Sequence, residues 1–163
     1  MDVIIPKIKV KLEGGKMPTK SSLFAAAFDL YVPNDVELHI GRQVIDLGFS
    51  IELPRGYAAL VQPRSGFSAK GLEVLLRDGE GWSRPWKVDA DVIIGLIDSD
   101  YRGHVGVILK VHATNPLSDM VLLKGGTRIA QMRIVAVPDV RLESVEELDM
   151  SDDRGGGFGH TGR

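Results

Sequence analysis

The chain has 163 residues, 44% hydrophobic and 26% charged, which suits one folded domain with its own core. A net charge of −2 excludes bulk attraction to nucleic acid or membrane, and no apolar run reaches the ~18 to 20 residues that span a bilayer. The absence of cysteine excludes disulfides, thiolate zinc sites and a cysteine nucleophile, and fits a reducing, cytoplasmic setting.

Along the chain, apolar residues alternate with polar ones in short runs. Ile8, Val10 and Leu12 alternate with Lys7, Lys9 and Lys11. Val36, Leu38 and Ile40 alternate with Asp35, Glu37 and His39, and Phe49, Ile51 and Leu53 with Ser50, Glu52 and Pro54. Further runs cover residues 57–62, 105–113, 120–123 and 128–137. Pro33-Asn34, Pro54-Arg55-Gly56, Asn115-Pro116 and Gly125-Gly126 punctuate them. A period of two with frequent turns predicts strands, and many short strands predict an all-β jelly roll, sandwich or barrel. The one helical turn expected lies near residues 68–71. There is no internal repeat. The β core is expected over residues 1–150, with 72–94 as an extended hairpin or a surface excursion and 151–163 as a flexible tail. The excursion holds a charged turn, Arg77 to Gly81, and both tryptophans, Trp82 and Trp86. An aromatic pair there is a candidate surface for a protein partner, or packs the excursion onto its own domain.

Several polar constellations interrupt the pattern. Pro63-Arg64-Ser65-Gly66 follows a strand, and an arginine, a hydroxyl and a glycine N–H at a strand end form an anion nest or an ordinary turn. Ser65 lacks the context of a nucleophile, and the histidines at 39, 104, 112 and 160 show no base partner. In Gly95 to Gly103, Asp98 and Asp100 flank a serine after an apolar run. If the strand continues, the two carboxylates share a face, and a cation or a catalytic role must offset their repulsion. The bland alternative is a polar turn with Asp100 paired to Arg102. Gln131 sits among Ile129, Ala130, Met132 and Ile134, where a buried amide must find a partner. Gly14-Gly15-Lys16 is followed by Met17, so it is no phosphate-binding Walker motif. The ending RGGGFGHTGR cannot build a core. Its Arg154, glycines and Phe158 suit an arm closing over a nucleotide, or a disordered end.

In order, AAAFDL at 25–30, PRSG at 63–66, GLIDSDYRG at 95–103, GTRIAQ at 126–131 and the tail at 154–162 closely resemble the five motifs of the trimeric dUTPases. The resemblance spans nearly the whole chain. It implies a dUTPase-type β jelly roll (β-clip), assembled as a homotrimer whose active sites are shared between subunits, with a glycine-rich C-terminal arm. It also implies hydrolysis of dUTP to dUMP and diphosphate by Mg²⁺-assisted attack of water on the α-phosphorus, which limits uracil in DNA and supplies dUMP for thymidylate synthesis. Asp98 matches the carboxylate that activates the water. Asp29 matches the aspartate that touches the metal through water, while the phosphates hold most of the ion. Arg64, Ser65, Gly66 and Gln131 match phosphate and water contacts, and Tyr101 matches the tyrosine packed on the deoxyribose. Gly95, Leu96, Ile97 and Gly106 fall where a hairpin reads uracil. Arg154, Phe158, Gly159, His160 and Thr161 match the closing arm.

The departures from the motifs are Ala27 in place of glycine, Val92 near the usual asparagine, a tail one residue shorter, and a longer stretch from Gly66 to Gly95. The last resembles phage or prophage-type members. Two other readings compete: a dUTPase-fold regulator that binds a partner through residues 72–94, and dCTP deaminase.

Overall fold

The computed structural model describes residues 6–79, 81–114 and 120–152. The strands are β1 (Lys9–Leu12), β2 (Phe28–Tyr31), β3 (Val36–His39), β4 (Gly41–Glu52), β5 (Tyr57–Gln62), β6 (Leu72–Asp78), β7 (Gly81–Ile93), β8 (Gly95–Ile97), β9 (His104–Ala113), β10 (Met120–Leu123) and β11 (Arg128–Ala136). One short helix, α1 (Ser65–Lys70), interrupts them. It begins three residues before the helical turn expected from the sequence.

Two antiparallel sheets result. The larger has the order β1-β4-β9-β7-β6-β10-β3, and the smaller β2-β11-β5-β8. Alternation explains how they pack. In β9, Val105, Val107, Leu109 and Val111 are buried while the residues between them are not. They meet Leu30, Val61, Ile129 and Met132 from the smaller sheet in one core. Each such side chain contributes about 1.5–3 kcal/mol by leaving water.

The segment 72–94 is a hairpin whose two halves differ. Its base is woven into the larger sheet, with β7 paired to β9 and β6 to β10, and Val74, Val88, Ala90 and Val92 are core. The first seven residues of β7 are exposed, apart from a partly covered Trp82, while Val74 and Leu76 on the β6 strand paired with them are core. Val92 therefore points into the interior.

The Gly14-Gly15 turn is structural. The Glu13 and Gly15 amides both donate to the Gly48 carbonyl at 2.8 Å. A side chain at residue 15 would collide with the Leu47 carbonyl, so only glycine permits this approach. Gly48 has φ 65° and forms the irregularity of β4 between Asp46 and Ser50. Beyond β11, residues 137–152 carry no strand and are exposed.

Candidate active site

Strand β11 aligns the first group of side chains. Gln131 lies opposite Asp29 on β2 and opposite Gln62 on β5. Two residues past Gln62, Arg64 precedes α1 in an extended conformation and turns its guanidinium back. Its Nε donates to Asp29 Oδ1 at 2.9 Å, and Arg128 Nη1 lies 3.3 Å from Asp29 Oδ2. Asp29 is buried at 8% exposure, so the two guanidiniums compensate a carboxylate that would be costly alone. Gln131 Nε2 donates to the Pro63 carbonyl at 2.9 Å, which holds the chain where it enters α1. Amides in the first turn of a helix have no intrahelical acceptor, and Ser65 and Gly66 are exposed there. Arg64, Gly66, Lys70, Lys87, Thr127 and Arg128 line a hollow of about 420 Å³. Lys70 and Lys87 add two cations to the two arginines, against the carboxylates of Asp29 and Glu73, and this excess makes this end of the smaller sheet attractive to anions.

The second group sits at the other end of β5. Strand β8 pairs with it through Val61↔Gly95, Leu60↔Leu96 and Ala59↔Ile97. Ile97 is buried, Leu96 faces outward, and the strand stops at Asp98. The Tyr101 amide donates to the Asp98 carbonyl at 3.2 Å, closing a turn. Asp98 and Asp100 therefore do not share a strand face, contrary to the sequence expectation. Nor does Arg102 pair with Asp100: its Nη1 donates to the carbonyls of Ser99 at 2.7 Å and Tyr101 at 2.8 Å. Asp98 is exposed beside a hollow of about 500 Å³ lined by Tyr57, Ala58, Ser99 and Val137. Tyr101 is half exposed, and its hydroxyl donates to the His104 carbonyl at 3.0 Å. A side chain at Gly103 would strike that ring. Gly106 pairs with Asp46 in β9 and has Val44 close on its Cα side.

His104 has two partners that the sequence did not reveal. Its Nδ1 lies 2.8 Å from Asp46 Oδ2, and its Nε2 lies 2.9 Å from Glu13 Oε2. These bonds, from Asp46 first and Glu13 second, hold the imidazole above its ordinary 6.5. The Gly48 amide, and then His104, hold Asp46 below its usual range. Lys11, with His104 behind it, does the same for Glu13. His112 also has a carboxylate partner, Asp91, at 2.7 Å.

The structure thus joins Asp29, Arg64 and Gln131, adds Arg128, and separates them from Asp98 and Tyr101. Asp29 is level with Gln62 and Asp98 with Ala58, about 13 Å along β5, and β2 and β8 are opposite edges of the smaller sheet, three strand spacings or about 14 Å across, which together put Asp29 and the Asp98 turn roughly 20 Å apart. Arg154, Phe158, Gly159, His160 and Thr161 lie outside the described residues.

The family model described as dUTPase matches residues 13–81 and 86–162, leaving out only 82–85 in between. A deoxyuridine 5'-triphosphate nucleotidohydrolase of Syntrophotalea carbinolica is 34% identical over 99% of this chain and 99% of its own. One from Oryza sativa is 35% identical over 98% of this chain and 82% of its own. Among solved structures, a Staphylococcus bacteriophage 80alpha dUTPase with dUpNHpp superposes with TM-score 0.78 at 23% identity, covering 96% of this chain and 99% of its own. A dUTPase from phage phi11 of S. aureus, described with a structural Mg(II) ion, gives 0.68 at 22% identity, covering 86% and 97%. Both share the fold.

Proposed function

The chain belongs to the dUTPase family, and from that premise we propose that it hydrolyses dUTP to dUMP and diphosphate at a site shared between subunits. The observation that carries the shared site is the separation of the two groups across the smaller sheet. A nucleoside triphosphate must meet the cationic end and the Asp98 turn at once, and one chain holds them roughly 20 Å apart. A homotrimer that brings one subunit's Asp98 and Tyr101 to another's Arg64, Ser65, Gly66 and Gln131 supplies both.

In this reading the phosphates lie on the first-turn amides of α1, with Arg64 held in place by Asp29. Asp98 takes a proton from water as the water's oxygen bonds to the α-phosphorus. The bond from that phosphorus to the bridging oxygen breaks, and diphosphate leaves. Backbone groups at Gly95, Leu96, Ile97 and Gly106 pair with uracil, and the Tyr101 ring packs on the deoxyribose. Arg154, Phe158, Gly159, His160 and Thr161 close over the nucleotide and expel water.

Mg²⁺ accompanies the triphosphate. Among the described residues no group of three or more His, Asp or Glu is arranged to hold a metal. Both oxygens of Asp29 face arginines. That donor set fits a cation held by phosphate oxygens and its own waters, with Asp29 reaching it through water. When bound, the ion neutralises phosphate charge. Among the described residues no helix is long and apolar enough to cross a membrane. We place the enzyme in the cytoplasm, where the nucleotide pool is.

The test is diphosphate release from dUTP with Mg²⁺, beside dCTP, dTTP and UTP, in wild type and Asp98→Asn. Turnover of dUTP alone, lost in the variant, supports the reading. A folded protein that leaves dUTP intact, or that releases ammonia from dCTP, overturns it.

A further inference from the structure

The His104 clip lies directly behind the ring assigned to the sugar. Three separate parts of the chain meet in it: Glu13 after β1, Asp46 on β4 and His104 at the start of β9. Both ring nitrogens face carboxylate oxygens, an arrangement in which only the doubly protonated imidazolium donates to both. The carbonyl of this same residue accepts from the Tyr101 hydroxyl. Between them stands Gly103, whose missing side chain leaves the ring its space.

We propose that His104 is a positioning residue for Tyr101: the clip fixes the first residue of β9, whose carbonyl anchors the ring that excludes a 2'-hydroxyl. This rests on the reading of Tyr101 as the sugar platform.

The surroundings favour the charged form. The hollow beside the clip is lined by Lys9, Lys11, Glu13, Ser50, Glu52, Arg102 and His104. Lys9 is paired with Glu52 at 2.8 Å and Lys11 with Glu13 at 2.7 Å. Arg102 spends its Nη1 on the carbonyls of Ser99 and Tyr101. Asp46 also accepts from the Gly48 amide at 2.8 Å, so it stays fixed whether or not His104 is charged. The imidazolium's partners raise its affinity for protons, so its tie to both carboxylates is complete below the ordinary 6.5 and is lost as pH rises through the folded value. A neutral ring donates once, and its other nitrogen turns a lone pair toward a carboxylate. The pH dependence belongs to discrimination between dUTP and UTP. The steps and phosphate groups common to both substrates cancel in the ratio.

The experiment measures kcat/KM for dUTP and UTP from pH 6 to 8.5 in wild type, His104→Gln, Asp46→Asn and Tyr101→Ala, with trimer mass and Tm as folding controls. In wild type the dUTP/UTP ratio should fall as pH rises. In His104→Gln it should be roughly tenfold lower at pH 6 and flat with pH, the scale expected when a positioned group shifts slightly. Asp46→Asn, which keeps an oxygen for Gly48, should fall between them. Imidazole ¹⁵N shifts should show both nitrogens protonated at pH 6. A wild-type ratio and pH profile in both clip variants overturns the proposal, as does a neutral ring at pH 6. If Tyr101→Ala leaves the ratio unchanged, the sugar-platform reading itself falls, and the two failures are thereby told apart.

Discussion

The two ends of β5 are built on opposite plans. At one end Asp29 is buried and its oxygens are taken by Arg64 and Arg128, with Gln131 fastened to Pro63 beside them. At the other end Asp98 is exposed, and its carboxylate bonds to no described residue. The first end is finished within one chain. The second is displayed, its carboxylate free, as the proposed base of a site completed by another subunit would be. The contrast is the one the proposal asks for: groups that hold are fixed by pairing with each other, while a group that reacts keeps its lone pairs.

The largest effect should come from Asp98→Asn, which keeps the turn and removes the proposed base. A loss of roughly 10²–10⁴ in kcat with little change in KM, read by steady-state diphosphate release, is the expected outcome. A parallel rise in KM would mean that Asp98 holds substrate as well.

Mixing subunits sharpens the comparison. Asp98→Asn and Arg64→Ala should each be nearly inactive, yet trimers refolded from equal parts should regain about a quarter of wild-type activity, because one site in each mixed trimer recovers both groups. No recovery would place both ends of the site in one chain.

Asp29→Asn tests the finished end. Losing the carboxylate leaves two guanidiniums unneutralised around a buried position, though both are partly hydrated. About 2–3 kcal/mol of stability should be lost, read by urea unfolding. A neutral outcome would mean that Asp29 matters only to substrate.

The smallest effect is expected far from either end. Arg77 lies over the Trp82 ring at 5.8 Å on the exposed half of the hairpin. Trp82→Ser should cost under about 1 kcal/mol in Tm-derived stability and leave dUTP turnover unchanged.

Strands with clean alternation were legible in the sequence, β9 and β3 among them, because one face of each meets the core, and β10 was legible as a short apolar run buried on both faces. The first half of β4 was not, since Arg42, Gln43 and Asp46 break the pattern and Val44 is exposed. Nor was the base of the 72–94 hairpin. Its charged turn and tryptophans suggest an excursion, yet Val74, Val88 and Val92 are core. The grouping of the motif residues was not legible: strand order, not spacing, decides that Arg64 meets Asp29 and leaves Asp98. The Asp98 turn looked like a strand because the apolar run before it has no stop signal beyond Ser99 itself. His104 carried no local signal at all, since its partners stand 58 and 91 residues away. Arg128 was read as the opening of a strand, and its charge acquired a role only once β2 was placed beside β11.

Strand β5 also measures a length. One residue added between Tyr57 and Arg64 would exchange the faces of everything beyond it, and two would restore the faces but lengthen the span by about 7 Å. Under the shared-site proposal, a neighbouring subunit docked to both ends absorbs neither. The outer part of the hairpin has no such duty, and the four residues skipped within the family match, 82–85, lie there just past its turn. Length variation in descendants of this chain should therefore accumulate there and be purged from β5.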